Sequence, residues 1–504
     1  MSPRNIAGEN KTLWQFWLGV LLLGAFLFVF RADHESLWMD EAFSIALSER
    51  SFPDIWQLSI SDSHPPLYYF MLRVFRLVLG DSILVARLFS GLGAFALVLL
   101  GIGPVRRAGG NTTGFIYTLL ATMMPIIVSY AQEVRMYTWA AFFVTGTGLY
   151  AYLAITGGRR SDWIKLCVFA VAATYSHLYG LFGVGFIGLF ALAWILLKGR
   201  DRLPAFLLAM GIPALLFIPW AMVLAQQTAR ISSDFWIPEV TGDMVLLTLA
   251  FPFGYKFDAE LNGYHAIALV ALIALIGGLV VAVVRRKKLL LPALCLFSYI
   301  ATLLAVVVIS VLVRPILYPR YMLPLLGLLV VALAYAIAQF PKQITVIACS
   351  VLVLAQASLL PSIYLDRFNG PMREISAYLE KRMDADDVFV HLDEHTLHTF
   401  AVYVPDHTHV MYLPPESRVY SSLEVHGDKV RAVSDIDEIT SITARVWLVM
   451  RFRGGNVRAY YEAAQALGLE PVPMYTDRFE VEQGEFFGVS RSWYAVVLQS
   501  LPIR

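Results

Sequence analysis

Two stretches between the first apolar run, ending at Phe30, and the next, beginning at Ile83, carry the residue types of acid–base chemistry. One is Leu37-Trp38-Met39-Asp40-Glu41-Ala42-Phe43-Ser44 and the other is Asp62-Ser63-His64-Pro65-Pro66-Leu67-Tyr68-Tyr69. A carboxylate partly withdrawn from water has a raised pKa, which suits it to take a proton from a hydroxyl. Asp40 is the first choice for such a base and Glu41 for an orienting or cation-pairing role, although adjacency alone does not separate the two. The same pair also suits the first turn of a helix continuing through Ala42–Leu47, where carboxylates are favoured. His64 stands before Pro65-Pro66, a rigid helix entry that presents the imidazole at a fixed angle and places Tyr68 one turn further on. Asp62 and His64, with Asp40 or Glu41, also have the donor atoms for a divalent metal ion. Their spacing matches no metal motif, so metal dependence stays open.

A second set could handle an anion. Glu133-Val134-Arg135-Met136-Tyr137 follows one apolar run, His177 and Tyr179 interrupt another, and Arg314-Pro315-Ile316-Leu317-Tyr318-Pro319-Arg320-Tyr321 separates two late runs. The arginine fork matches phosphate oxygens, and a cation beside the bilayer is costly enough to suggest a binding role. The competing reading pairs Arg135 with Glu133 or Asp40, leaves Arg314 and Arg320 on lipid head groups, and makes His177 an ordinary interfacial histidine.

The elements that must position these residues are membrane helices. Hydrophobic residues make up 58% of the 504, more than a soluble domain carries. Eleven apolar segments have spanning character: 14–30, 83–102, 112–128, 137–155, 163–176, 178–197, 203–224, 264–284, 289–313, 321–339 and 344–363. The shorter segment 65–79, with Arg73 and Arg76 on one face, decides the topology. If it lies in the interface as an amphipathic helix, then Arg106-Arg107, Arg159-Arg160, Lys198, Arg200, Arg202, Arg285–Lys288 and Lys342 all join Arg4 and Lys11 inside. The amino terminus is then cytoplasmic, and the candidate residues and tail are extracytoplasmic. The 14–30 run lacks a cleavage pattern and reads as a retained helix.

From about residue 364 the pattern changes to short apolar runs at 388–390, 409–413, 445–450 and 493–498, with helices expected at 373–382 and 456–467. The expected organisation is a transmembrane domain over 1–363, with its catalytic first outer loop at 31–82, and a soluble α/β domain over 364–504 for acceptor or partner binding. His391–His398 is rich in metal-binding residue types but lacks metal-ligand spacing, and reads as a solvated loop. Cys167, Cys295 and Cys349 all fall in apolar spans, which argues against a disulfide framework. A net charge of +1 without a basic face gives no reason to expect nucleic acid, and no Gly-rich phosphate loop points to a nucleotide cofactor.

One helix, an acidic Asp40-Glu41 loop, a His64-Pro65-Pro66 helix entry, Arg87-Leu88-Phe89-Ser90 opening a span, and Glu133-x-Arg135-x-Tyr137 together resemble glycosyltransferase family 39 over roughly the first 360 residues. That family includes protein O-mannosyltransferases and lipid A aminoarabinose transferases. The resemblance implies a polytopic α-helical membrane protein of C-type glycosyltransferase architecture, with about 11 transmembrane helices and a C-terminal extracytoplasmic α/β domain. It also implies an inverting enzyme, in a bacterial inner or plasma membrane, that moves a sugar from a polyprenyl-phosphate donor to a glycan, lipid or protein acceptor. By the same resemblance Asp40 is the base, His64 contacts donor phosphate or acceptor, and Tyr318-Pro319-Arg320-Tyr321 meets the lipid phosphate. The stretch 226–263 is too short for the β-trefoil insertion of protein O-mannosyltransferases, which weighs against a protein acceptor. Two rivals remain: a polyprenyl-phosphate-lipid binding protein without turnover, and a secondary transporter. The transporter fits less well, because internal repeats and mid-span charges are not evident.

Overall fold

A computed structural model describes residues 3–61, 64–230, 237–255, 264–366, 368–369, 372–381, 383–391, 393–413, 421–435, 438, 444, 446–451, 470–471, 485–486, 489–490 and 495–499. They fall into two compact units. The first takes the described residues within 1–32, 63–257 and 261–366, and the second those within 33–62 and 367–504. The segment carrying Asp40 and Glu41 thus belongs with the carboxy-terminal residues.

The first unit is a helix bundle in which every expected apolar segment is helical. Among the described residues, eight helical stretches are long and apolar enough to cross a bilayer, so this is an integral membrane protein. They account for nine of the eleven expected spans, because Ile83–Met123 contains two. That stretch passes through a π-helical turn at Gly101–Val105 around Pro104, then breaks at Gly110, whose φ of +90° suits glycine. The other two expected spans are shorter. Trp14–Val29 is the apolar part of a helix that begins at Pro3, and Arg160–Thr174 has 15 residues, a rise of about 22 Å against roughly 30 Å of hydrocarbon. The latter ends because the chain turns extended at His177 (φ −161°, ψ 143°).

Leu67–Leu79 is a 13-residue helix, too short to span. It buries Tyr68, Tyr69, Leu72 and Arg76 and exposes Val74, Leu77 and Val78, the two-faced pattern expected of an interfacial helix. Small residues bring helices close near the ends that matter. A Cβ on Gly180 would collide with the Ala173 carbonyl, so the turn at 175–177 is held tightly between its two helices.

The second unit centres on a mixed sheet of β1 (Val388–His391), β2 (Thr408–Tyr412), β3 (Val430–Val433), β4 (Val446–Arg451), β5 (Glu470–Pro471) and β8 (Ala495–Gln499), in the order β3-β2-β1-β4-β8-β5. β6 (Glu485–Phe486) and β7 (Val489–Ser490) form a separate antiparallel pair. Strands β3, β2, β1 and β4 run parallel, whereas β8 pairs antiparallel with β4 and β5. The crossover from β1 to β2 is the Glu394–Tyr403 helix, as parallel neighbours require. Phe389, Trp447 and Val449 of the sheet pack with Met372, Ile375 and Leu379 of the Met372–Glu380 helix and with Phe400 and Val404.

The reading of 391–398 as a solvated loop is corrected here. His391 ends β1, Asp393 caps the next helix by accepting the Thr396 N–H at 3.0 Å, and both His391 and His398 are buried. The helix expected at 456–467 lies outside the described residues.

Candidate functional site

Four connections of the first unit meet at one end of its bundle and bring together most of the candidates. The turn 175–177 accepts the Leu67 N–H on the Tyr175 carbonyl at 3.1 Å, which ties the His64-Pro65-Pro66 entry to it. His64 and His177 then lie 5.9 Å apart, ring centre to ring centre. Arg135 Nη2 reaches His64 Nε2 at 3.5 Å. Arg135 sits in the turn between two helices, where its amide donates to the Glu133 carbonyl at 2.7 Å. Its own carbonyl faces the Ser90 hydroxyl at 3.4 Å, and that hydroxyl meets the Tyr68 phenol at 3.2 Å. Tyr68 thus supports the Arg135 turn from behind.

The last connection is pinned in the same region. The Ser310 hydroxyl accepts the Ile316 and Leu317 amides at 3.0 and 2.9 Å, and the Tyr179 hydroxyl donates to the Ile316 carbonyl at 2.5 Å. Tyr321 then packs 5.5 Å from His177, and the Arg320 guanidinium lies over the rings of Tyr318 and Tyr321 at 5.0 and 5.9 Å. Arg314 precedes this segment, and burial pushes its pKa down. Tyr137 lies between His177, tilted at 5.6 Å, and Tyr130, edge-on at 4.9 Å. Tyr130 was not among the sequence candidates; a phenol two residues before Gln132 in an apolar run was the available signal.

His177 is the centre of this cluster. Its side chain is only 2% exposed. Nδ1 accepts the Tyr179 amide at 3.1 Å, capping the Leu178–Lys198 helix. A backbone N–H can only donate, so Nδ1 carries no proton. Burial pushes the pKa well below the usual histidine value, and the nearby His64 ring and the Arg135 and Arg320 guanidinium groups disfavour a further charge there. The ring is therefore neutral with its proton on Nε2, and that buried Nε2 finds no hydrogen-bond partner among the described residues. A buried unmet donor costs about 1–3 kcal/mol. Set beside two guanidinium groups, it makes a site whose fixed groups favour an anion.

The acidic candidates of the first loop fall in the second unit, apart from Glu133 of the Arg135 turn, which belongs to the first. Asp40 and Glu41 lie in the first turn of the Met39–Glu49 helix, which starts after an extended Trp38 with no side-chain cap. Glu41 is 1% exposed, while Asp40 is half-buried. Asp62 lies outside the described residues. Among the described residues, no group of three or more His, Cys, Asp or Glu side chains could hold a metal ion.

This fold is similar to that of ArnT from Cupriavidus metallidurans in the apo state, with a TM-score of 0.65 at 14% identity, covering 98% of this chain and 99% of that one. The crystal structure of ArnT from the same organism bound to undecaprenyl phosphate gives 0.62 at 14% identity, covering 97% and 98%. The architecture is therefore that of the membrane-embedded C-type glycosyltransferases, with a carboxy-terminal α/β unit. No protein-family model matches the sequence, and no curated protein matches it.

Proposed function

We propose that this protein is an inverting glycosyltransferase that moves a sugar from a polyprenyl-phosphate donor to a hydroxyl of an envelope glycan or lipid, on the extracytoplasmic face of the membrane. The observation that carries this reading is the cluster of Arg135, Arg320, His64 and the unmet His177 Nε2–H at one end of an apolar bundle. Such a site suits a phosphate at the head of a long hydrocarbon. The likeness in fold to ArnT, which has been crystallised with undecaprenyl phosphate, supports the same choice of ligand.

In this scheme Asp40 removes the proton of the acceptor hydroxyl as its oxygen attacks the anomeric carbon. The bond from that carbon to the phosphate oxygen breaks on the opposite face, and polyprenyl phosphate departs with the bonding pair. Arg135 and Arg320 stabilise the charge developing on it, where fixed cations in a dry site act most strongly. Glu41, too buried for direct attack, orients the turn that bears Asp40. The test is to offer purified protein in nanodiscs a panel of labelled undecaprenyl-phosphate hexoses and pentoses, with wild type and Asp40→Asn side by side. Consumption of one donor by wild type, lost in the variant while undecaprenyl phosphate still binds, supports the enzyme. Binding without consumption of any donor favours a lipid-binding protein instead.

A further inference from the structure

Residues 33–38 form no regular structure, so their backbone groups must be satisfied from elsewhere. The partners come from residues more than 300 positions away in the sequence. Arg373 donates to the Asp33 carbonyl at 2.6 Å, to the Asp33 carboxylate at 2.8 Å and to the Glu35 carbonyl at 3.1 Å. Asn369 donates to the Ser36 carbonyl at 2.9 Å, and the Tyr403 hydroxyl accepts the Leu37 amide at 2.8 Å. In return the Glu35 carboxylate accepts the amides of Phe368 and Asn369 at 2.7 and 3.2 Å. The helix that follows, Met39–Glu49, packs along the Glu394–Tyr403 helix, with the Phe43 ring 5.9 Å from His398. At its exit Arg50 donates to the Val425 carbonyl at 2.7 Å, against Gly427, whose φ of +58° suits a residue without Cβ.

We infer that the carboxy-terminal unit is the clamp that positions the Asp40 helix, with Tyr403 and Arg373 as positioning residues for the base. The bond from Leu37 to Tyr403 lies three residues before Asp40 and sets the direction in which the chain enters the helix. Isolated surface ion pairs contribute little to stability, but a guanidinium fork shared by two backbone carbonyls fixes geometry. This assigns residues 367–504 a task within the reaction, one that needs no acceptor contact. Its catalytic consequence rests on the reading of Asp40 as base.

The experiment compares wild type, Tyr403→Phe, Arg373→Ala, Arg373→Lys and Asp40→Asn as full chains in nanodiscs. Hydrogen exchange of residues 33–50 reads the clamp. Turnover of the donor selected from the labelled undecaprenyl-phosphate sugar panel reads its effect, and affinity for undecaprenyl phosphate reads the rest of the fold. The expected result is faster exchange over 33–50 in Tyr403→Phe and Arg373→Ala, with kcat lower by about tenfold, as slight misplacement of a reacting group produces. KM for the donor and the affinity for undecaprenyl phosphate stay unchanged, and Arg373→Lys recovers part of the rate. Unaltered exchange over 33–50 overturns the clamp, and faster exchange with unaltered kcat overturns its role in the reaction. An Asp40→Asn protein that turns over normally refutes the base instead, and the exchange result still decides the clamp.

Discussion

Replacing His177 with asparagine separates two tasks that the wild-type ring performs together. Asparagine is a good helix cap, so its side-chain oxygen can accept the Tyr179 amide and keep the Leu178–Lys198 helix start intact. What disappears is the Nε2–H, the buried donor with no partner among the described residues. A hydrogen bond to a charged group contributes about 1.5–3 kcal/mol, and relieving the unmet donor in the free protein shifts binding the same way. At about 1.4 kcal/mol per decade, the affinity for undecaprenyl phosphate should fall roughly 10- to 100-fold. The assay is equilibrium binding of labelled undecaprenyl phosphate to nanodisc-embedded protein, with undecaprenol as the control that lacks phosphate. Undecaprenol binding should not change. His177→Gln gives the complementary result: its amide extends toward the Nε2 position but is poorly placed to cap, so it should bind closer to wild type and melt earlier. If His177→Asn binds undecaprenyl phosphate as wild type does, the histidine is a cap alone and the anion argument is refuted.

Arg135→Ala and Arg320→Ala should each weaken undecaprenyl phosphate binding and reduce its dependence on salt, whereas a wild-type salt dependence in both would remove the guanidinium groups from the site. Arg135→Lys should recover only part of the loss in the same titration, because an ammonium cannot reproduce the planar fork. In the second unit, burial lowers His398 and His409 to about 4, against about 6.5 unfolded. Between those values the unfolded chain holds more protons, so stability is complete above about pH 6.5 and declines as pH falls toward 4. Limited proteolysis across that range, read by mass spectrometry, should show cleavage within 386–451 rising on acidification; a flat profile would contradict it.

What the sequence discloses here follows how local each signal is. Apolar length located the spanning helices of the membrane unit, because hydrocarbon thickness is one constraint applied to all of them, but it missed the nine-residue helix Gly242–Ala250. The proline pair after His64 and the arginine in Glu133-x-Arg135-x-Tyr137 were equally readable, since each marks a local turn. His177 was harder. Its cap on Tyr179 is local, but the charges that surround it come from Arg135 and Arg320, which no periodicity joins. The stretch 391–398 misled because polar residues near a strand end look solvated. His391 is in fact paired with His409 at 3.0 Å, and His409 is fixed in turn by the Val404 carbonyl at 2.9 Å. Nor could spacing reveal that residues 33–50 belong with the carboxy-terminal unit. That grouping depends on Arg373, Tyr403 and Val425, more than 300 residues away.

The most direct test of the account is the fate of the donor. Undecaprenyl phosphate carrying the selected sugar, labelled at the anomeric carbon, is incubated with the nanodisc protein and an envelope glycolipid fraction, and the products are read by phosphorus and carbon NMR. The account predicts free undecaprenyl monophosphate in step with a glycosidic product of inverted anomeric configuration. Retained configuration, or a donor that stays intact while bound, would contradict it.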